Sequence, residues 1–180
     1  MDYQIFKTIN GWAGQVGWLD FIMIAFTEYV PYLFAGVLVL LVILRSTRPA
    51  GLMGFATLFL GFGISWVIGQ LYERTRPFVD HDHVNMLVHH AADASFPSDH
   101  TTAAFTIACA LWIYDRRMGI PMAVLALIMG FSRIWVGHHY PTDILGGILI
   151  GVLSAIVVAW AASKIIDKRQ DKDRFQSTQS

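Results

Sequence analysis

Long apolar runs separated by short polar breaks set the organisation of this chain. The runs cover residues 18–44, 51–72, 98–114, 121–136 and 144–166. A helix that crosses a bilayer needs about 20 largely apolar residues, so the pattern predicts an all-α, polytopic membrane helix bundle of about five crossings. Ahead of the first run, Ile5, Phe6, Ile9 and Trp12 recur at helical spacing among polar neighbours. That predicts a short amphipathic helix over 2–17, lying in the membrane interface. Proline disfavours a helical conformation in the residue before it, so Glu28-Tyr29-Val30-Pro31 predicts a break. Residues 18–28 then form an interfacial or re-entrant piece, and about 29–44 the first crossing. Five glycines in 51–72 (Gly51, Gly54, Gly61, Gly63, Gly69) are expected to let neighbouring membrane helices approach closely.

Composition agrees with the pattern. Apolar residues are 55% of the 180 residues and charged residues only 14%, too few to cover a soluble domain of this length. The formal net charge is zero and no basic stripe occurs, which excludes nucleic acid as a partner. The one cysteine, Cys109, lies in an apolar run and is expected to be a small buried residue. Met1-Asp2-Tyr3-Gln4 lacks the basic region of a removable signal peptide. Arg45/Arg48, Arg116/Arg117 and the basic residues of 164–174 fall on one side of the predicted topology, which is expected to be cytoplasmic. A single domain is expected over 1–166, followed by a charged, disordered cytoplasmic tail over 167–180.

Three polar clusters then share the opposite side: Arg76-Pro77-Phe78, Pro97-Ser98-Asp99-His100-Thr101, and the stretch from Ser132 to Asp143. Singly, an arginine or histidine at a membrane helix end is often only an interface anchor. Charged groups at membrane depth are costly, however, and a cluster of them marks function. Ser98 is a competent N-cap after proline, and the free N–H groups of a helix start suit a phosphate. His100, two residues in, can face the same anion. Arg76 and Arg133 offer planar, permanently charged forks that match phosphate oxygens. His139 and Asp143 are four apart, so the carboxylate can fix one imidazole nitrogen and leave the other as a nucleophile. Together these residues predict a two-histidine phosphoryl-transfer site with no metal and no cofactor.

The order Arg-Pro, then Pro-Ser-x-His, then Ser-Arg-x5-His-x3-Asp resembles the type 2 phosphatidic acid phosphatase superfamily. The stretches from His89 to Thr102 and from Gly130 to Pro141 are similar to the bacitracin-resistance undecaprenyl pyrophosphate phosphatases within it. The resemblance implies His139 as nucleophile, Asp143 as its orienting partner and His100 as general acid. It implies Arg76, Ser98, Arg133 and the Asp99 backbone N–H as phosphate ligands; His138, one residue before the matching histidine, is the weaker candidate for the nucleophile. Asp99 stands where that family usually has glycine. Gly69 stands where it usually has lysine, and Gln70 or Arg74 is a possible replacement. The substrate implied is a polyprenyl diphosphate, cleaved at the outer face of a bacterial plasma membrane to recycle a cell-wall lipid carrier.

Other readings compete. Within the superfamily, phosphatidate or phosphatidylglycerol phosphate is an alternative substrate. An anion transporter or channel is the non-enzyme alternative, but it would place polar groups at mid-membrane depth or show inverted repeats. His81, His83, His89 and His90 read as a solvated loop ahead of a zinc site. Glu28 reads as a headgroup-level carboxylate, with a pocket role as the alternative.

Overall fold

A computed structural model describes residues 1–177, and among them the ordered structure is entirely helical. The helices are α1 (Asp2–Asn10), α2 (Gly17–Ile43), α3 (Arg48–Leu71), α4 (Pro77–Asp80), α5 (Asp99–Tyr114), α6 (Arg116–Trp135) and α7 (Pro141–Ser177). Four of them, α2, α3, α6 and α7, are long and apolar enough to cross a membrane. At 16 residues, or about 24 Å, α5 is shorter. It traverses the bundle nonetheless. Its first residue meets Ser65 near the end of α3, while Trp112 near its other end packs against Gly119 at the start of α6.

The predicted break at Pro31 does not occur. The 27 residues of α2 are one continuous helix with Pro31 inside it, so 18–28 belongs to the first crossing and is no separate interfacial piece. Proline removes one backbone bond, but opening the helix in lipid would strand several more, so the membrane holds it together. The N-terminal helix is shorter than expected. It stops at Asn10, and residues 11–15 turn the chain into α2. The fourth crossing starts at Arg116 instead of Pro121, because the Asp115 carboxylate accepts the Arg117 N–H at 2.9 Å and caps it there. The last helix runs on past residue 167. It continues through Ser177, since extending an existing helix takes far less free energy than nucleating one. The three residues beyond lie outside the described part.

The centre of the bundle is α5, with Thr101, Ala104, Phe105, Ala108 and Leu111 all buried. A Cβ at Gly147 of α7 would lie 2.9 Å from the Ser98 carbonyl and 3.0 Å from Thr101 Cβ. Glycine there lets the α7 backbone rest on α5. In α3, Gly51, Gly54 and Gly61 do contact neighbouring helices closely, but Gly63 faces open space. The short α1 lies across one end of the bundle. Phe6 packs with Ile134, Tyr140 and Ile144, and the buried Asn10 amide donates to the carbonyls of Trp135 and Asn85. That end carries all three polar clusters.

Candidate active site

A turn at the end of α6 builds the centre of the site. Gly137 takes φ +89°, a conformation that residues with a Cβ rarely adopt. The turn brings the His138 and His139 N–H groups back onto the Arg133 carbonyl, at 3.0 and 3.3 Å. Both rings thereby tuck under the helix and are almost fully buried.

These neighbouring histidines hold opposite tautomers. His139 Nδ1 lies 2.9 Å from the Ser95 carbonyl, so Nδ1 carries the proton and Nε2 is a bare lone pair. That lone pair accepts from Arg76 NH1 at 3.1 Å. His138 Nε2 lies 2.7 Å from the Val88 carbonyl, so there the proton sits on Nε2. Its Nδ1 is buried with no partner among the described residues. Burial, then the Arg133 charge, pushes His138 down to about 3. Burial, then Arg133 and Arg76, holds His139 well below the ordinary imidazole range. Both rings are neutral at pH 7.

Arg76 is 4% exposed. Its Nε donates to Asp93 Oδ1 at 2.7 Å, and its NH1 also reaches the His138 carbonyl at 3.2 Å. Arg133 is 2% exposed, and its Nε and NH2 find no hydrogen-bond partner among the described residues. A buried cation with open donors is costly unless an anion completes it.

The N-terminus of α5 closes another side. Ser98 occupies the N-cap position, but its hydroxyl does not cap. It accepts from Thr101 Oγ1 at 3.1 Å, which leaves first-turn N–H groups open. The Asp99 carboxylate is drawn aside by the Ser65 hydroxyl at 2.7 Å, so its side chain does not cover those amides. His100 is half-buried, and the Arg133 and Arg76 guanidinium charges act on it.

Asp143 is fully buried. Its Oδ2 accepts from the Ser95 hydroxyl at 2.6 Å and from the Tyr140 N–H at 2.8 Å, and lies 3.5 Å from His139 Nδ1. The Ser95 carbonyl, not the carboxylate, is thus the closer partner of His139. Ser95 was not legible as a site residue, although it stands three positions before Ser98 in the same loop. Asp93 was missed in the same way.

The three secondary candidates diverge. Gln70 is exposed on the wall of two polar cavities, of about 400 and 370 Å³, shared by Gly69, Asp93 and Ala94. Glu28 is exposed one residue after Thr27, whose hydroxyl meets Ser132 at 2.8 Å, and its charge acts on Arg133. Arg74 is bound to Asp143 Oδ1 at 2.7 Å instead of standing open to an anion. The loop histidines disperse: His81 stacks on Tyr3 at 3.7 Å, His90 lies 4.7 Å from His138, and His83 and His89 are exposed.

A membrane helix bundle that collects two arginines, a helix start and a bare imidazole nitrogen at one end is built for phosphoryl transfer. The sequence relationships agree, and the chain belongs to the PAP2 superfamily, whose profile matches residues 49–167. It is 42% identical over 159 residues to undecaprenyl-diphosphatase BcrC of Bacillus subtilis, covering 85% of this chain and 80% of that one. It is 36% identical to the putative undecaprenyl-diphosphatase YbjG of Escherichia coli, covering 90% and 84%. Among solved structures, Aquifex aeolicus LpxE superposes with a TM-score of 0.78 at 26% identity, covering 88% and 94%. The chain is a membrane phosphatase.

Proposed function

We propose that the substrate is undecaprenyl pyrophosphate or a close polyprenyl diphosphate, hydrolysed to the lipid monophosphate and phosphate at the outer face of a bacterial plasma membrane. Recycling of the cell-wall lipid carrier, and with it bacitracin resistance, is the physiological role. The observation that carries the reading is Arg133: a fully buried guanidinium with two open nitrogens, across from an imidazole lone pair held by Arg76.

In this reading the terminal phosphate enters between Arg133, Arg76 and the first N–H groups of α5. Arg76 NH1 turns from His139 Nε2 to a phosphate oxygen. The freed lone pair attacks phosphorus, a P–N bond forms, and the bridging P–O bond breaks. The negative charge of the bound diphosphate offsets the two arginines and lets His100 take up a proton, which it gives to the departing lipid phosphate. Water, deprotonated by His100, then attacks the phosphohistidine, and the P–N electrons return to Nε2. Beside His100 and Asp99 lies an apolar cavity of about 250 Å³, lined among others by Pro31, Phe34, Phe62, Ile107 and Met129. It suits the first isoprene units next to the scissile bond. Both relatives named for undecaprenyl diphosphate support the substrate class.

The test is phosphate release by the purified chain from polyprenyl diphosphate, phosphatidylglycerol phosphate and phosphatidate in matched detergent. The diphosphate is expected to give the highest kcat/KM. A clear preference for phosphatidate would overturn the assignment. His100 sharpens the comparison. A lipid monophosphate leaves as an anion whose relevant pKa is roughly 6, whereas phosphatidate must expel an alkoxide near the roughly 15.7 of water. His100→Gln is therefore expected to lose about 10²–10⁴-fold on phosphatidate and markedly less on the diphosphate. Equal losses would make His100 a binding residue only.

The outward orientation rests on the basic residues near Arg45, Arg48, Arg116 and Arg117 at the far end of the bundle. A cysteine placed at Asp82 is expected to react with an impermeant thiol reagent on intact cells, and one placed at Arg117 is not. The reverse labelling would put the site in the cytoplasm.

A further inference from the structure

Behind the imidazole lies a second layer of charge that the reaction scheme above does not use. Arg74 NH1 donates to Asp143 Oδ1 at 2.7 Å and to Thr142 Oγ1 at 2.6 Å, and its NH2 donates to Asp2 Oδ2 at 2.5 Å. The guanidinium also lies 4.1 Å over the Tyr140 ring. Asp2 completes the arrangement by accepting the Thr142 N–H at 3.1 Å and its hydroxyl at 2.5 Å, which pins α1 to the first turn of α7. Burial alone would raise the Asp2 carboxyl, but hydrogen bonds from Thr142 and Arg74 outweigh it and hold it below its ordinary value.

The two oxygens of Asp143 have separate tasks in this arrangement. Oδ2 holds the Ser95 hydroxyl, and the Ser95 carbonyl holds the His139 Nδ1 proton. Oδ1 has Arg74 as its only partner among the described residues. Arg74 also accepts the Ser95 N–H on its own carbonyl at 2.8 Å, so it grips Ser95 from a second direction. A fully buried carboxylate needs a compensating cation and complete hydrogen bonding. Without Arg74, Oδ1 would be left bare, and the cheapest relief is for the carboxylate to swing toward water. Ser95 would follow it and release His139 Nδ1.

We propose that Arg74 and Asp2 are positioning residues for the reaction: Asp2 orients Arg74, Arg74 fixes Asp143, and Asp143 with Ser95 sets the tautomer of His139. The inference rests on the reading that His139 attacks the phosphate. It also removes Arg74 from the phosphate ligands, since its donors are directed at carboxylates and Thr142.

The experiment compares Arg74→Gln, Arg74→Lys, Asp2→Asn and the double variant Asp2→Asn/Arg74→Gln with wild type and His139→Ala, using purified full chain and a polyprenyl diphosphate. Arg74→Gln is expected to lower kcat about 10–100-fold, by analogy with the groups that orient a metal-bound histidine from behind, with KM little changed. Arg74→Lys recovers part of that loss, because it restores the cation without the fork. Asp2→Asn gives a smaller loss of kcat that disappears in the Arg74→Gln background, because the two act in series. Slower formation of phosphohistidine in a single turnover accompanies each loss. A raised KM at unchanged kcat would make Arg74 a phosphate ligand and overturn the proposal, and additive losses would break the series. If Arg74→Gln does not fold, Asp2→Asn, which preserves shape, decides alone, and wild-type kcat there overturns the proposal. His139→Ala separates the two levels. Turnover by that variant defeats the reading of the site, whereas wild-type kinetics in Arg74→Gln and Asp2→Asn beside a dead His139→Ala defeat only this inference.

Discussion

His139→Ala is expected to lose on the order of 10⁴-fold or more in kcat, the scale seen when a covalent nucleophile is deleted. The protein should still insert and fold. The reason is the tautomer: His139 Nδ1 is committed to the Ser95 carbonyl, and its bare Nε2 is the imidazole nitrogen that meets an arginine directly. His138→Gln is expected to retain most activity, because glutamine can keep the donor that His138 Nε2 offers to the Val88 carbonyl. If the two phenotypes are exchanged, the nucleophile is His138. The pH profile of kcat/KM checks the same assignment independently. Burial and the two arginines lower the proton affinity of His139, so it stays neutral as pH falls through 6.5. No loss of activity from its protonation is expected in that region. An acid limb with a midpoint at 6.5 or above that persists in both His100→Gln and His138→Gln would contradict the buried geometry.

Arg133→Met is expected to show an inverse pairing of stability and activity. Removing an arginine that clamps a transferring phosphoryl group costs roughly 10³–10⁵-fold, and Arg133 Nε and NH2 have no partner among the described residues that would hold them away from the phosphate. Yet the same substitution replaces a buried cation whose Nε and NH2 are open with an apolar side chain of similar length. Removing an uncompensated buried charge is stabilising, and the nearby Arg76 charge loses a repulsive neighbour. The thermal midpoint in detergent, without phosphate, should rise by about 2–4 °C for each kcal/mol regained. Added phosphate or vanadate should raise the midpoint of the wild type and leave Arg133→Met unmoved. A variant that is both inactive and less stable would show that Arg133 supports the fold instead of waiting for an anion.

The helical bundle was legible because lipid imposes a length on every crossing, and a run such as 144–166 can do little else. Local rules failed where the membrane overrides them. Pro31 reads as a break in water, but in α2 it is absorbed. The candidate site residues stood out in the sequence for a related reason: Arg76, His100, Arg133, His139 and Asp143 are ionisable groups in an apolar chain, where each needs a purpose. Ser95 and Asp2 carry no such mark. A serine in a polar loop and an aspartate near the start of a helix are ordinary, and their importance arises only when folding brings residues 2, 74, 95 and 143 together. Arg74 shows the same limit from the other side. Its charge drew notice, but its direction depends on tertiary contacts with Asp2 and Asp143, which spacing along the chain does not encode.

The apolar cavity beside His100 has a consequence for how this enzyme meets its substrate. Two residues of its wall, Ala35 and Phe62, are exposed on the outside of the bundle, where acyl chains surround it. A polyprenyl tail can therefore slide in sideways without leaving the hydrocarbon phase, and encounter becomes a search in two dimensions. The governing concentration is then the mole fraction of substrate among the lipids of the same membrane. Extra inert lipid in that membrane dilutes the substrate and slows each enzyme, while doubling the number of identical vesicles leaves the rate per enzyme unchanged.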